Sequence, residues 1–420
     1  MDKNQFQELL WMGMGRAITY ARENNVQQFR DVILDACLHC RAVDPISEGT
    51  RADYMFGLVN LLPNRQFYCD EVLNALPGSG DDRDAEQRFR FAACMAFKRD
   101  ERAKQIMYES FEPGPRWGEG IGINFVQMDG RKGLVFAAAK IGELMISKSL
   151  EVETGWLWSS ALEICGEKKA ELALRRAAAE DPRVEAYRLS VVKGRSGKDT
   201  WEEIKALGYE QLKPRLAGLR GFRLTGWGRR ASDEDVEQAA RGLLASQTPT
   251  EQLQHLRIFA DRSFPLEPSS VVEITLSGQK DLAHAGAVAL AQISHPSVRD
   301  LAFRLAETRG PGWDHAIGML DRNWQPGDHE VALGWFESEH DHDVRHRMQM
   351  DLRQFWEHHP EPPTEVRMLL SLYEHGPCSF CRRYVIERLI DLHSLPAPVR
   401  AECAYDANED VRDLAAMESP

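Results

Sequence analysis

The amino-acid sequence predicts an all-α protein built from stacked helix pairs. Of its 420 residues, 43% are hydrophobic and 28% are charged. Apolar residues recur at the three-and-four spacing of an amphipathic helix, whereas few segments alternate with the period of two that is typical of a strand. Short breaks of proline and glycine separate the helical segments, so successive helices are expected to pack as neighbours.

The first half begins with a helical region over residues 1–111, interrupted by Pro and Gly at about residues 45, 63 and 77. A Gly/Pro-rich loop is predicted over 112–133, because four glycines and two prolines fall within ten residues. Helical repeats are predicted to resume over 134–192. Residues 193–231 contain seven glycines between short helical patterns, which predicts an irregular segment that separates two halves of the chain.

The C-terminal repeats are predicted over 232–420, starting from the capping sequence Ser232-Asp233-Glu234-Asp235. The apolar pattern there predicts helices at about 250–261, 268–276, 280–292, 297–308, 313–323, 328–338, 342–357, 363–374, 379–393, 397–404 and 409–417.

Five Val-Arg dyads lie near the start of predicted helices, at Val298-Arg299, Val344-Arg345, Val366-Arg367, Val399-Arg400 and Val411-Arg412. Three of them follow an Asp or Pro that signals a turn. This pattern resembles the start of the second helix in HEAT-like repeats, most clearly over residues 280–420. The resemblance implies an α-solenoid of degenerate helix pairs, either continuous or divided into two halves, in which each pair buries its apolar face against its neighbours.

Charge and cysteine content restrict the function classes. The formal net charge is −13, which disfavours a general coating of nucleic acid or anionic membrane. The sequence begins without a basic segment ahead of a long apolar run, and no later run approaches eighteen uninterrupted apolar residues, so a cytoplasmic protein with no membrane partner is expected. Eight cysteines in a chain of this length are expected to be reduced thiols.

One segment departs from this acidic balance. Residues 213–230 carry six basic residues and no acidic one. Guanidinium groups with interleaved aromatic rings can bind phosphates and stack on bases, although the same segment can instead pair with acidic helix faces or a protein partner. The candidate binding residues are Lys213, Arg215, Arg220, Phe222, Arg223, Trp227, Arg229 and Arg230.

Two further groups could carry metal chemistry. Cys378 and Cys381 form a C-x2-C pair, and His375 with Cys403 could complete a structural zinc site. The alternatives are small buried side chains on a helix, which need no cofactor, or a reactive thiol. The histidines at 340–346 and 358–359 lack the H-E-x-x-H arrangement and are predicted to lie in a solvated, helix-capping segment.

No sequence motif of a known catalytic type is present, so an enzyme is not the favoured interpretation. The favoured function is a non-enzymatic scaffold that binds a protein partner through an extended surface. The alternative is a nucleic-acid-binding repeat protein that uses segment 213–230, as some DNA glycosylases built from HEAT-like repeats use a basic face. A lyase of the kind that some HEAT-like proteins form is implied by architecture alone.

Overall fold

The computed structural model describes residues 1–77, 83–114, 118–148, 155–196 and 198–417. These residues form twenty-eight α-helices and three short 3-10 helices, and no strand occurs among them, which confirms the all-α prediction. Within the same ranges, no helix combines the length and the apolar composition that are needed to cross a bilayer.

The chain divides into two compact units. Unit 1 contains residues 1–196 together with 377–420, and unit 2 contains residues 197–376. The predicted division at 193–231 therefore agrees with only one of the two boundaries. Because residues 377–420 pack with the beginning of the chain, the predicted C-terminal array 232–420 is split at Gly376.

The first thirteen helices belong to unit 1. They are α1 (Lys3–Met12), α2 (Gly15–Glu23), α3 (Arg30–Leu38), α4 (Pro45–Glu48), α5 (Ala52–Val59), α6 (Arg65–Asn74), α7 (Arg83–Phe97), α8 (Glu101–Ser110), α9 (Gly118–Asp129), α10 (Arg131–Lys148), α11 (Trp156–Cys165), α12 (Glu167–Ala178) and α13 (Pro182–Ser196), with a 3-10 helix at Gln27–Phe29. A cluster of aromatic rings joins α7 to α10, at Phe89, Tyr108, Phe111, Phe125 and Phe136.

The next twelve helices form unit 2. They are α14 (Lys198–Lys205), α15 (Tyr209–Leu212), α16 (Gly221–Gly228), α17 (Asp233–Ala245), α18 (Pro249–Ile258), α19 (Ser269–Thr275), α20 (Lys280–Leu290), α21 (Pro296–Thr308), α22 (Ala316–Asp321), α23 (Asp328–Glu337), α24 (His342–His358) and α25 (Pro362–His375), with 3-10 helices at Lys213–Gly218 and Trp313–His315. Helices α16, α18, α20, α22 and α24 pack on one another in succession, and each of α17, α19, α21 and α23 packs on the helix that follows it.

The last three helices, α26 (Ser379–Asp391), α27 (Ala397–Cys403) and α28 (Glu409–Ala416), complete unit 1. They pack against its first helices through polar contacts. The backbone N–H of Ala407 donates to the carbonyl oxygen of Gly13 at 2.9 Å, and Arg16 Nε donates to Glu402 at 2.9 Å. Residues that are distant in sequence therefore share one core.

Capping side chains explain where several helices begin. Asp341 accepts a hydrogen bond from the backbone N–H of Val344 at 3.0 Å, and Asn408 does the same for Val411 at 3.3 Å. At the start of α18, Thr248 and Glu251 form a reciprocal capping box. These contacts satisfy backbone N–H groups that have no partner inside the helix. Capping residues of this kind are therefore reliable signals in the sequence for the start of a helix.

Arginines of the Val-Arg dyads hold helices to the turns beside them. In unit 2, Arg299 donates to the carbonyl oxygen of Asn323 at 3.0 Å and to the buried carboxylate of Asp328 at 2.6 Å. In unit 1, Arg412 donates to the carbonyl oxygen of Asp406 at 2.8 Å. These two dyad arginines therefore join their helices to a neighbouring turn, whereas Arg367 pairs with the exposed Glu330 of α23.

The loop predicted over 112–133 is wrong for most of its length, because residues 118–129 form α9. Residues 115–117 of that prediction lie outside the described part of the chain. A Cβ atom on Gly120 would lie 2.6 Å from the Glu86 carboxylate, and one on Gly122 would lie 3.3 Å from Ala137. The glycines thus permit close helix packing. Glu119, directly before Gly120, accepts hydrogen bonds from the backbone N–H groups of Gly155 and Trp156 at the start of α11.

The irregular segment predicted over 193–231 is also wrong in large part, since α14, α15 and α16 lie within it. A Cβ atom on Gly226 would lie 2.8 Å from the Trp201 ring, and one on Gly228 would lie 2.0 Å from the carbonyl oxygen of Ile258. Glycine lowers helix propensity by about 1 kcal/mol. Tertiary packing against these small residues outweighs that penalty.

Gly142 gives a test of this packing. A Cβ atom there would lie 1.8 Å from the carbonyl oxygen of Arg183, where α10 crosses α13. We expect Gly142→Ala to destabilise unit 1 by about 1–3 kcal/mol, because rigid backbone must move to relieve the clash.

Gly57 on α5 is the matched control, since a Cβ atom added there would meet open space. Gly57→Ala should stabilise the protein by about 0.5–1 kcal/mol. Urea unfolding measures both effects, and equal effects of the two substitutions would contradict the packing.

Candidate functional site

An open groove of about 920 Å³ lies within unit 2. It is lined by α18, by α20, by the loop that precedes the 3-10 helix Trp313–His315, and by the beginning of α24. The helices α18, α20 and α24 belong to the same row of stacked helices, although α22 of that row does not line the groove. The groove therefore follows the stacking of helix pairs in unit 2.

Charged side chains of both signs line this groove. The basic residues are Arg257, Lys280, Arg309 and Arg347, and the acidic residues are Asp281, Asp314, Asp341 and Asp343. Some of these charges pair within the groove or at its margin, as Arg309 does with Glu339 at 3.3 Å. A polyanion would meet four carboxylates here, whereas a protein surface with charges of both signs would find complementary groups.

Asp314 is the most buried charged group of the groove, with 6% of its surface exposed. Its Oδ2 accepts a hydrogen bond from Nε of Arg347 and lies 3.6 Å from Nδ1 of His284 and 3.7 Å from Nε2 of His315. Burial raises the pKa of Asp314, but the neighbouring side chains of His284, His315 and Arg347 outweigh it. Together they hold the pKa of this carboxyl group well below its usual range.

The two histidines beside Asp314 contact each other directly. Nε2 of His315 lies 3.1 Å from Nδ1 of His284, and the ring planes are inclined by 63°. On the opposite side of its ring, Nδ1 of His315 lies 3.8 Å from Oδ2 of Asp351. That Asp351 oxygen is buried and makes no hydrogen bond to the described residues. The ring of His315 is therefore placed between a second imidazole and a second carboxylate.

Local structure explains how these side chains meet. Asp314 and His315 lie in the 3-10 helix that follows Gly312, whose φ of +88° is a left-handed conformation that favours glycine. A Cβ atom on Gly312 would lie 2.9 Å from the carbonyl oxygen of Ala283, the residue before His284. Glycine at this position thus allows the loop to approach α20 closely.

This cluster was missed by the sequence analysis. His284 and His315 are separated by thirty-one positions and by a complete helix, so no local motif connects them. The available signal was the sequence Gly310-Pro311-Gly312 directly before a Trp-Asp-His segment, which marks a tight turn that carries ionisable side chains.

The predicted binding residues of segment 213–230 lie in unit 2, on the 3-10 helix Lys213–Gly218, on α16 and directly beside the two ends of α16. Phe222 is 64% exposed, and it lines a shallow pocket of about 460 Å³ together with Trp201, Arg229 and Arg230. The exposed basic residues are Lys213, Arg215, Arg220, Arg229 and Arg230, while Arg223 is half-buried. Arg229 also pairs with Asp261.

The prediction that Trp227 is a binding residue is wrong. Trp227 is buried, and its Nε1–H donates to the carbonyl oxygen of Leu207 at 2.8 Å. A ring that is enclosed by the core and hydrogen-bonded there cannot stack on a base. Trp227 follows the exposed Phe222 by five positions on α16. Because a helix has about 3.6 residues per turn, the two rings lie on different faces of the helix.

The residues of the predicted zinc site are placed as follows. Cys378 and Cys403 are buried and Cys381 is half-buried in unit 1, while His375 ends α25 in unit 2. Cys378 caps α26, since its Sγ accepts a hydrogen bond from the backbone N–H of Cys381 at 3.4 Å. The four-residue zinc site stays a prediction.

The histidine-rich segment is only partly solvated. Asp341 caps α24 as expected, but the histidines at its other end make specific contacts. His358 Nδ1 lies 2.8 Å from Oδ2 of the buried Asp321, and His359 Nε2 lies 2.8 Å from the carbonyl oxygen of the same residue. These contacts fasten the end of α24 to the end of α22.

No family model, curated protein or solved structure matches this chain.

Proposed function

We propose that this chain is a HEAT-like helical-repeat scaffold that binds a protein partner through the groove of unit 2. The mixture of four basic and four acidic side chains in the groove is the observation that supports this proposal most strongly. Like-charge contacts cost several kcal/mol, so a uniformly charged ligand is disfavoured at such a surface. A protein segment with alternating charges is the better fit.

The packing of unit 2 supports the repeat interpretation. Its helices pack on the next helix and on the next but one along the chain, and the dyad residue Arg299 joins α21 to the turn that follows α22. An array of helix pairs that depend on their neighbours creates a binding surface without any catalytic group. A scaffold therefore accounts for the groove more simply than an enzyme does.

Nucleic-acid binding through segment 213–230 is the second candidate. It is supported by the exposed ring of Phe222 next to Arg229 and Arg230, an arrangement that can stack on a base and contact phosphates. The loss of Trp227 from the set leaves a single exposed ring on α16. Asp261 also neutralises part of the charge of Arg229.

Two charge-reversal variants distinguish these functions. Asp281→Lys with Asp343→Lys changes exposed groove residues, and we expect it to weaken binding of the protein partner at least about tenfold. Reversal of Arg220, Arg223, Arg229 and Arg230 to Glu is the matched control, which should leave that binding unchanged.

The measurement is affinity purification from the native host with and without nuclease, followed by titration of the captured partner. A stoichiometric protein that survives nuclease and is lost from the groove variant would support the scaffold. A ligand that nuclease removes, that depends on the four arginines and that dissociates steeply with salt would contradict it and favour nucleic acid.

A further inference from the structure

We propose that His284, Asp314 and His315 bind a divalent transition-metal ion, with zinc as the ion best suited to two imidazoles and one carboxylate. The site lies inside the groove of unit 2. It is distinct from the zinc site that the cysteines at 378, 381 and 403 suggest, and it does not depend on whether the groove binds a protein.

The separations of the three ligand atoms support this assignment. Nδ1 of His284, Nε2 of His315 and Oδ2 of Asp314 form a triangle with sides of 3.1, 3.6 and 3.7 Å. Ligands at about 2.0–2.2 Å from a tetrahedral ion lie roughly 3.3–3.6 Å from one another. Each side of the triangle is therefore within a few tenths of an ångström of one edge of that tetrahedron.

Asp351 supplies an independent observation. A histidine that binds a metal through one ring nitrogen usually donates the other N–H to a carboxylate, which fixes the tautomer and the ring orientation. Asp351 Oδ2 lies 3.8 Å from Nδ1 of His315, and this buried oxygen makes no hydrogen bond to the described residues. A small rotation of either side chain would give the hydrogen bond, leaving Nε2 of His315 free of its proton and directed at the ion.

The surroundings predict an open site. The side chain of His284 is 47% exposed, and the groove reaches all the way to it. Structural zinc sites are enclosed by four protein ligands, whereas three ligands with an accessible fourth position allow a water molecule or an external carboxylate to bind. The proposed ion would therefore be reachable from the groove.

Arg347 is the charge that competes with the ion. Its Nε donates to the same Oδ2 of Asp314 that the ion would use. The positive guanidinium group of Arg347 would repel a divalent cation bound to the same oxygen. The ion could still bind there, because a carboxylate oxygen can accept more than one partner. We therefore expect Arg347→Gln to bind metal at least about tenfold more tightly than the natural sequence. An unchanged or weaker affinity would contradict placement of the ion on Asp314.

The direct test uses Co²⁺ as a spectroscopic substitute for zinc in the full chain after chelator treatment. We expect one equivalent to bind with the visible absorption of a tetrahedral ion and without the near-ultraviolet charge-transfer band that thiolate ligands give. His284→Ala and His315→Ala should abolish this binding. Asp351→Asn should weaken it by about 10–100-fold.

His340→Ala is the matched control, because His340 is exposed and belongs to neither the described cluster nor its neighbours Asp314 and Asp351. It should bind Co²⁺ like the natural sequence. Circular dichroism checks that each variant keeps its helices. Binding that is unchanged in His284→Ala with His315→Ala, a thiolate charge-transfer band that disappears together with these two histidines, or no stoichiometric binding would each overturn the proposal.

Discussion

Replacing Arg382 by methionine is expected to destabilise unit 1 by about 3–5 kcal/mol. Arg382 on α26 is fully buried, and its Nη1 donates to the carboxylate of Asp406 at 2.6 Å. Its Nη2 donates to the carbonyl oxygen of Met12 at 2.8 Å. Loss of the guanidinium leaves a buried carboxylate without its cation and a buried carbonyl without its donor, and both losses weaken the attachment of residues 377–420 to the first helices.

The neighbouring arginine provides a matched control. Arg383 pairs with Asp410 at 3.1 Å, but both side chains are exposed, so Arg383→Met should change stability by less than about 1 kcal/mol. Arg382→Met combined with Asp406→Leu should recover much of the lost stability, because it removes both buried charges. Hydrogen exchange during urea unfolding assigns the effect to unit 1. Equal effects of the two single substitutions would show that Arg382 does not carry this attachment.

Glu86→Gln is expected to stabilise unit 1 by an amount that grows with pH. Burial of Glu86 against α9 raises its pKa to about 7, and the charge of Arg83 opposes this rise only in part. In the unfolded chain the pKa is about 4.3–4.5. Between these values the folded state retains a proton that the unfolded state releases, so the natural protein loses stability as pH rises through this interval.

Glutamine has no such proton, so the benefit of the substitution should increase from about 1 kcal/mol at pH 5 to about 3 kcal/mol at pH 8. Hydrogen exchange of α7 peptides in urea, corrected for intrinsic rates at each pH, measures this change. Glu101→Gln removes one negative charge from an exposed position on α8 and should have an effect below about 0.5 kcal/mol. A benefit of Glu86→Gln that is independent of pH would rule out the buried carboxyl as its cause.

Helices with local signals were predictable from the sequence. The segments predicted at 342–357 and 409–417 correspond to helices at His342–His358 and Glu409–Ala416, because a capping residue before each helix and a 3.6-residue apolar period fix both position and type. Glycine-rich segments were predicted wrongly. The effect of Gly122 or Gly228 depends on the neighbour that packs against it, and that neighbour is not readable from nearby sequence.

The candidate site was less predictable than the fold. Phe222 and the arginines around it are adjacent in sequence, so a local pattern could single them out, but only packing shows that Trp227 faces inward. His284 and His315 meet because Gly312 allows a loop to approach α20, which is a tertiary event. Arg382 and Asp406 look like ordinary surface residues in the sequence, and nothing local indicates that both are buried.

The packing of residues 377–420 against α1 and α2 has a consequence for protein synthesis. The helices of unit 1 that leave the ribosome first cannot complete their core until the whole of unit 2 has been translated, which takes roughly tens of seconds at about 5–20 residues per second. Unit 2 is continuous in sequence and can fold as soon as it emerges. The nascent chain is therefore expected to expose, throughout that interval, the surface of α1 and α2 that the last three helices later cover, including backbone carbonyl groups of Met12 and Gly13 that still lack their donors. This surface is the natural place for a chaperone to bind during translation.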